Sequence, residues 1–394
     1  MSLNFVNTFA ALVKEFYQDD TISNTINNTT PLLNMVPKDK SFVGDPYVVP
    51  VRLANTQNIG VSDALVFGNT GSSTQQRATV QATTQYGLVT ITRQTMKVSE
   101  NNVGAFAQAV KFEIESMVRE FARNLNRQLY GDGSGDLSPT AFTAINTAGN
   151  NFTVVPASLF NFEVGMLVQF VDNANALTSA TVFGITAIDL TTGVVTVTGA
   201  VPALSVNAVR PGAANAEMTG LAAITDNTVT PLYGISGTTY NRWNAISFGT
   251  SGTLSSDIDS AMAQIGKNGG KADLIMCSFD TWTKIVAELQ LQKRYNEPPL
   301  KGGDATVNFR GVYFVGPYGD AMVYPDQHCP DSAIYVLDTK GLVLVSRGGS
   351  EWFREDGTIL LRDANADSYS ARYGSYCNLM CTARNAQAKI VGPF

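Results

Sequence analysis

The sequence predicts an α+β protein organised around one long helix, and three observations support this. A helical apolar pattern runs unbroken from Asn101 to Leu129. Segments rich in β-branched and aromatic residues flank this pattern on both sides. Helical and extended segments alternate from residue 254 onwards. We therefore expect a long spine helix lying on a sheet, an extended β-hairpin loop, and a small all-β domain inserted between two parts of the chain.

The predicted spine helix has a single apolar stripe, so it needs one sheet to lie on. At about 1.5 Å per residue it would be roughly 40 Å long. Ser99 and Asn101 are candidate N-terminal caps, and Gly131 is the candidate left-handed residue after the last turn. The stripe comprises Val103, Phe106, Val110, Ile114, Met117, Phe121, Leu125 and Leu129. The other faces carry Lys111, Glu113, Glu115, Arg119, Glu120, Arg123 and Arg127.

Two extended regions precede the spine. Residues 2–18 have an amphipathic helical pattern, and 21–30 are rich in Asn and Thr, so residues 1–44 are predicted to form an N-terminal arm. Residues 45–98 are predicted to form a long hairpin, and Pro46 and Pro50 exclude its first strand from the centre of a sheet. The second extended segment runs over 77–98. Its predicted faces are Arg77, Thr79, Gln81, Thr83 and Gln85 on one side, with Val80 and Ala82 on the other.

Residues 150–212 contain no lysine and no helical periodicity. Four short strands are predicted, beginning near Phe152, Met166, Thr181 and Val194, with Gly193 at a positive-φ position in a hairpin loop. Either a small barrel or a sandwich would fit this pattern. We expect an inserted β domain here.

The remaining chain alternates between helices and strands. Helices are predicted over 254–265 and 279–292, and the second buries Trp282, Ile285, Val286 and Leu289. Strands are predicted over 272–277, 312–315, 333–337 and 342–346, followed by two or three long β segments over 351–391.

The composition excludes several classes of protein. The chain has 394 residues, of which 44% are hydrophobic and only 15% charged, and its net charge is −6. A charge-poor surface indicates extensive cover by other protein, and a negative chain is not typical of a dedicated nucleic-acid binder. No apolar run is long enough for a membrane span, and the first residues do not resemble a signal peptide. Four unclustered cysteines fit a reducing compartment.

Few residues could support catalysis or hold a cofactor or metal. The single histidine, His328, has a cysteine neighbour, Cys329, but the pair lacks the further ligands of a zinc site. Cys377 and Cys381 lie four apart on a predicted strand, too far to pair, and are expected to be buried. The glycines of residues 131–135 follow a helix, so they do not form a phosphate loop. Asp363, Asn365 and Asp367 could hold a cation but fit an ordinary acidic turn better. We predict no catalytic, cofactor-binding or metal residues.

The order of elements resembles the major capsid (coat) protein of tailed bacteriophages, with the Hong Kong 97-type fold. The most specific local similarity is the strand-then-helix segment from Ala272 to Ile285. The segments Gly311–Val315 and Ile334–Asp338 resemble the next pair of strands. The similarity extends over nearly all of the chain in arrangement, and the all-β segment departs from the minimal family pattern.

The resemblance implies a division of the chain into seven regions. These are residues 1–44, an N-terminal arm; 45–98, the extended hairpin loop; 99–149, the peripheral domain with the spine helix; 150–212, the inserted β domain; 213–249, a return to the peripheral domain; 250–345, the axial domain; and 346–394, the C-terminal strands of the peripheral domain.

The resemblance also implies a structural role. The expected protein is not an enzyme; it self-assembles without covalent bonds into hexamers and pentamers of an icosahedral head around double-stranded DNA, in the bacterial cytoplasm. Its expected partners are other copies of itself, a separate scaffolding protein, a portal and a decoration protein. DNA would be bound only non-specifically, and no membrane is involved.

Two other functions stay open from the sequence. One is the shell protein of a cellular, encapsulin-like nanocompartment built on the same fold. The other is an enzyme or carbohydrate-binding module with a β insert. The single histidine and the lack of paired ligands favour a container over the second alternative.

Overall fold

The structure is a computed structural model, and it describes most of the chain. The described residues are 30–42, 44, 46–56, 72–93, 103–138, 141–142, 144–145, 149–227, 231–292, 312–316, 319–354, 358–363 and 366–394; residues 103–113, 144–145 and 290–292 are described by backbone alone. The predicted helix over 2–18, the caps Ser99 and Asn101, most of the polar hairpin stretch, and Asn365 lie outside these residues.

The chain divides into two compact units. Unit 1 comprises Met1–Tyr47, Gln81–Leu129 and Val343–Leu379, and unit 2 comprises Val48–Val80, Tyr130–Leu342 and Met380–Phe394. Within the described residues the helices are α1 Pro31–Met35, α2 Val103–Tyr130, α3 Leu221–Ile224, α4 Leu254–Lys267 and α5 Phe279–Gln292. The strands are β1 Lys38–Asp39, β2 Tyr47–Ala54, β3 Thr74–Val80, β4 Thr83–Thr92, β5 Ala144–Ile145, β6 Asn151–Thr153, β7 Leu167–Val171, β8 Phe183–Asp189, β9 Val194–Val197, β10 Asn207–Val209, β11 Ile246–Gly249, β12 Leu274–Cys277, β13 Val312–Gly316, β14 Gly319–Pro325, β15 Ala333–Leu337, β16 Leu342–Trp352, β17 Leu361–Arg362, β18 Ser368–Cys381 and β19 Ala388–Val391.

The sheet of unit 1 is the surface on which α2 lies, as the single apolar stripe predicts. Its strand order is β1-β16-β18-β17, and β4 also pairs with β18. Val89 and Ile91 of β4 pack with Ile114 and Val118 of α2 in one buried cluster. The Phe121 ring meets Tyr373 of β18 edge-on, with 5.1 Å between the ring centroids. Burial of this stripe is therefore what joins the helix to the sheet.

The second half of the predicted stripe is confirmed. Ile114, Phe121, Leu125 and Leu129 are all buried. Arg127 was expected on an exposed face, and this was wrong, because the last turns of α2 are buried on nearly every side. The Arg127 guanidinium donates to the Asn124 side-chain oxygen at 3.1 and 3.2 Å, so its charge is hydrogen-bonded where it is buried.

The end of α2 also differs in detail from the prediction. The helix ends at Tyr130, as expected, but the left-handed residues that follow are Gly133 and Gly135, not Gly131. Positive φ is needed two residues later because the chain turns sharply there, beyond the last helical turn.

The end of the predicted N-terminal arm is anchored. Leu32 and Leu33 of α1 are buried, and the Leu33 N–H donates to the Asn126 side chain at 3.2 Å. Strand β1 then pairs in parallel with β16. The apolar run that forms α1 is too short to show a helical period, so the sequence did not reveal this anchor.

The extended segment after the hairpin tip is two strands instead of one. Val80 of β3 is buried and Arg77 and Thr79 are exposed, which agrees with the predicted faces, and Ala78 is buried on the same side as Val80. The strand breaks at residues 81–82, and in β4 the alternation is shifted by one residue. Thr83 and Gln85 were therefore assigned to the wrong face. Gln85 lies on the helix side, where it accepts a hydrogen bond from Gln128 at 2.8 Å.

Unit 2 contains a mixed sheet with the order β11-β19-β15-β12-β14-β13 among the described strands. Helices α4 and α5 pack against it, and Ile285, Trp282, Val286 and Leu289 contribute to the same cluster, as predicted. Strands β11, β14 and β19 were not predicted as separate strands. The final strand was expected beside the C-terminal strands of the spine region, but β19 pairs with β11 and β15 in this sheet.

The four strands predicted between residues 150 and 212 are present as β6, β7, β8 and β9. In the described residues they extend to a sheet ordered β10-β7-β8-β9-β6-β5. The segment leading into β5 pairs with the opposite edge strand, since the Leu137 and Phe142 N–H groups donate to Ala208 O and Val206 O. The sheet thus closes on itself around Phe152, Phe170 and Phe183. Gly193 has φ of 74° in the β8–β9 turn, as predicted.

We expect Phe121→Ala to destabilise the subunit by about 3–5 kcal/mol, because it removes a buried ring from the α2–sheet contact. Urea unfolding of the unassembled subunit measures the change. Arg119→Ala, on the exposed side of the same helix, is the matched control and should change stability by less than about 0.5 kcal/mol. Equal effects of the two substitutions would show that the stripe does not hold the helix in place.

Candidate assembly surface

Strands β4 and β18 share a face that carries exposed aromatic and apolar side chains on the side away from α2. Their antiparallel register places Tyr86 opposite Gly374 and Leu88 opposite Arg372. Residues directly opposite one another in antiparallel strands project on the same side of the sheet. We call this surface the aromatic sheet face and define it by Tyr86, Leu88, Phe353, Arg372 and Tyr376.

A glycine, Gly374, leaves the space in which the Phe353 ring of this face packs. The Phe353 ring stacks on Tyr376 with centroids 5.8 Å apart and planes inclined by 13°. A Cβ atom on Gly374 would lie 2.6 Å from the Phe353 ring and 2.7 Å from the Gln85 carbonyl oxygen. Because Gly374 has no side chain, the Phe353 ring can pack directly against the strand backbone at this point.

The face is unusually exposed for its composition. The exposed fractions are 68% for Tyr86, 55% for Leu88 and 38% for Tyr376. Neighbouring exposed apolar residues on a rigid sheet mark a surface for protein contact. The sequence carried a signal that was missed: between Gln85 and Ile91 both alternating sets contain apolar residues, which is typical of a strand covered on both faces.

The β2–β3 hairpin is the second candidate contact element. Within unit 2, the Thr79 N–H donates to Tyr233 O at 3.0 Å, and the Gln76 side chain donates to the Tyr240 hydroxyl at 2.9 Å. Val51 and Val80 are buried, whereas Val48 is exposed. The hairpin is thus fixed to its own unit and still offers exposed side chains.

His328 and Cys329 lie in a buried loop organised by Asp326. Asp326 accepts hydrogen bonds from the His328 N–H at 2.9 Å and from the Tyr130 hydroxyl at 3.0 Å. Burial, with Asp326 nearby, raises the pKa of Tyr130 well above its usual value. Burial likewise raises the pKa of Cys329, which disfavours the thiolate that a nucleophile would need.

The other cysteines are also buried. Cys377 and Cys381 lie on β18, as predicted, and both are free thiols. Burial raises the pKa of Cys377 to about 11 and that of Cys381 to about 12. They behave as small apolar residues of the sheet.

The acidic turn near residue 363 is bound by hydroxyl groups. Asp363 accepts hydrogen bonds from Ser368 and Ser370, which lower its pKa, and Asp367 forms an exposed ion pair with Arg93 at 3.5 Å. Across the described residues, no group of three or more His, Cys, Asp or Glu side chains could hold a metal ion. None of the described helices is both long enough and apolar enough to cross a membrane.

The glycine-rich stretch after α2 lies close to the backbone near Ala213. Gly135 has φ of 91°, and a Cβ atom there would overlap the Ala213 carbonyl group. The glycines therefore serve the close approach of two backbone segments.

The fold is similar to that of a known capsid structure. A chain of the cyanophage A-1(L) capsid matches with a TM-score of 0.59 and 14% identity, covering 92% of each chain. The capsid of Myoviridae phage XM1 matches with a TM-score of 0.45 and 8% identity, covering 92% of this chain and 91% of that one. The SrpI encapsulin from Synechococcus elongatus PCC 7942 matches with a TM-score of 0.43 and 11% identity, covering 93% and 88%. At these identities, the first match shows a shared fold, and the two lower scores support no further conclusion.

A search of curated proteins found no match. The family comparison is decisive, because the model of the SU10 major capsid protein family matches residues 4–358, most of the chain. Proteins of this family are structural components of a phage capsid and are generally not enzymes. The chain therefore belongs to the SU10 major capsid protein family.

Proposed function

We propose that this major capsid protein assembles through non-covalent contacts into hexamers and pentamers of an icosahedral phage head that encloses double-stranded DNA. The observation that carries the proposal is the aromatic sheet face, where Tyr86, Leu88 and Tyr376 are exposed on the β4–β18 pair. A copy of the same chain is the partner that a capsid subunit meets most often. Membership of the family and the low charge of the chain both support burial of this face by other copies.

We assign the parts of the subunit by the Hong Kong 97-type plan. Residues 45–98 would contain the extended loop, with β2–β3 as its hairpin, and 99–149 would form the peripheral domain around α2. Residues 250–345 would form the axial domain that meets its copies at five- and six-fold positions. The closed sheet of β5–β10 would be an inserted domain. The anchoring of β3 to Tyr233 and the packing of α2 on its sheet support this assignment.

The hairpin of a neighbouring copy is the proposed cover for the aromatic sheet face. Fully burying a Leu side chain is worth about 1.5–3 kcal/mol relative to leaving it exposed, so a few apolar contacts repeated around a shell favour assembly. Exposed residues such as Val48 on the hairpin offer the apolar part of the contact.

Further partners follow from the same assignment. A separate scaffolding protein, a portal and a decoration protein would complete assembly in the host cytoplasm. DNA would contact the inner wall only non-specifically, and the net charge of −6 suits a container that must not hold its DNA tightly.

We expect the double substitution Tyr86→Ser with Leu88→Ser to give a folded subunit that no longer forms closed shells. Both side chains are exposed, so their loss should leave the subunit core intact while removing apolar area from the proposed interface. Analytical ultracentrifugation and negative-stain electron microscopy measure assembly, and circular dichroism measures folding.

The matched control is Tyr86→Phe with Leu88→Met, which keeps the ring and the apolar surface and should assemble like the natural chain. Normal shells from the serine double variant would contradict the proposed role of this face. Folded subunits that form no particles even with the natural sequence and a scaffold would contradict the capsid assignment itself.

We further expect the shell to contain no covalent links between subunits. The hairpin region has no lysine between Lys40 and Lys97, and its Arg52, Arg77 and Arg93 are poor nucleophiles because a guanidinium stays protonated. Denaturing gel electrophoresis of mature particles should show one band near 42.2 kDa. A ladder of multimers that survives boiling and reductant would show that covalent bonds hold the shell.

A further inference from the structure

Two chain segments lead into and out of the closed β5–β10 sheet. The entry segment is 131–137 and the exit segment is 209–217, and together we call them the neck. They run against each other, since Asp136 bridges to Val209 and the Leu137 N–H donates to Ala208 O at 3.0 Å. At Gly135 they approach too closely for any side chain. The entry and exit segments therefore pack backbone against backbone at this point.

Two asparagines in the left-handed conformation join the neck to the β7–β8 loop by hydrogen bonds. Asn175 and Asn215 have φ of 57° and 55°. The Asn175 side chain donates to Ser134 O at 2.7 Å and to the Asn215 side-chain oxygen at 2.8 Å. The Asn215 side chain donates to Asn175 O at 2.9 Å, and its N–H donates to Ser134 O at 2.8 Å. Entry segment, exit segment and loop thus meet in one hydrogen-bonded group.

A carboxyl group lies inside the same neck. Asp136 is half-buried and hydrogen-bonds with Asn207 and Ser134. Two further carboxylates act on it from the neck, Asp132 on the entry segment and Glu217 on the exit segment. Burial, followed by repulsion from Asp132, raises the pKa of Asp136 to about 6, although the two hydrogen bonds oppose this shift.

We propose that the neck is an acid-stabilised joint, in which ionisation of the half-buried Asp136 beside Asp132 and Glu217 loosens the contact between the entry and exit segments and protonation restores it. The inference does not depend on the proposed assembly, because every group in it belongs to one chain. It also does not require the neck to bind a ligand.

The direction of the effect follows from the pKa. The folded value lies above the usual 3.8, so the closed neck binds a proton more tightly than the open neck does. The stabilisation is complete below about pH 4, falls as the pH rises towards 6, and is lost above about 6. A pKa displacement of about two units sets a ceiling of about a hundredfold in the opening equilibrium, and partial exposure of the group reduces this to about tenfold.

Hydrogen exchange of the full-length subunit tests the proposal. The neck amides to follow are Asn215 N–H and Leu137 N–H, and the reference is Ile185 N–H, which donates to Met166 O inside the same sheet. Rates are corrected for intrinsic exchange and compared between pH 4.5 and 7.5 at one assembly state. We expect protection of the neck amides relative to Ile185 to fall severalfold, by less than the full tenfold, between pH 4.5 and 6.5 and then stay constant.

Asp136→Asn, which resembles the protonated acid, should keep neck protection high and independent of pH. Asp189→Asn removes the same charge from the β8–β9 turn and should leave the pH dependence of the neck unchanged. Constant relative protection in the natural chain would overturn the proposal without any variant. Persistence of the natural pH dependence in Asp136→Asn would overturn it as well.

Discussion

The packing of α2 on the β4–β18 pair is the constraint from which the surface of unit 1 follows. Gly87 faces Met117 so closely that a Cβ atom there would overlap the Met117 sulfur. Val89, Ile91 and Tyr373 continue the same contact along the two strands. Once these residues face the helix, the period-two geometry of a strand directs Tyr86, Leu88 and Tyr376 to the opposite side. The exposure of the aromatic sheet face therefore follows directly from the packing of α2 on the other face of the sheet.

The sequence predicted the elements whose signals are local. The stripe from Ile114 to Leu129 and the helices α4 and α5 have a clear period within the segment itself, and the four strands β6 to β9 are short runs rich in β-branched and aromatic residues between turns. Their boundaries agree with the structure to within a few residues. For the helices, apolar spacing within the segment indicates which side is buried.

The missed features depend on contacts between distant residues. The break at residues 81–82 shifts the phase of β4 because Gln81 and Thr83 bond to Asn378 and Cys377 on β18. Arg127 is buried because nearly all side chains in the last turns of α2 are buried, and the apolar spacing of the helix sequence does not reveal this. The composition of strand β19 is typical of any strand, so it does not indicate which sheet the strand joins. Its pairing with β11 and β15 determines that. The neck is a further example, since Asn175 and Asn215 are 40 residues apart in sequence.

Electron cryo-microscopy of assembled particles, at a resolution that shows side chains, tests whether the aromatic sheet face is an interface between copies of this chain. We expect the β2–β3 hairpin of a neighbouring copy to cover Tyr86, Leu88 and Tyr376. A shell in which these three side chains face solvent would contradict it.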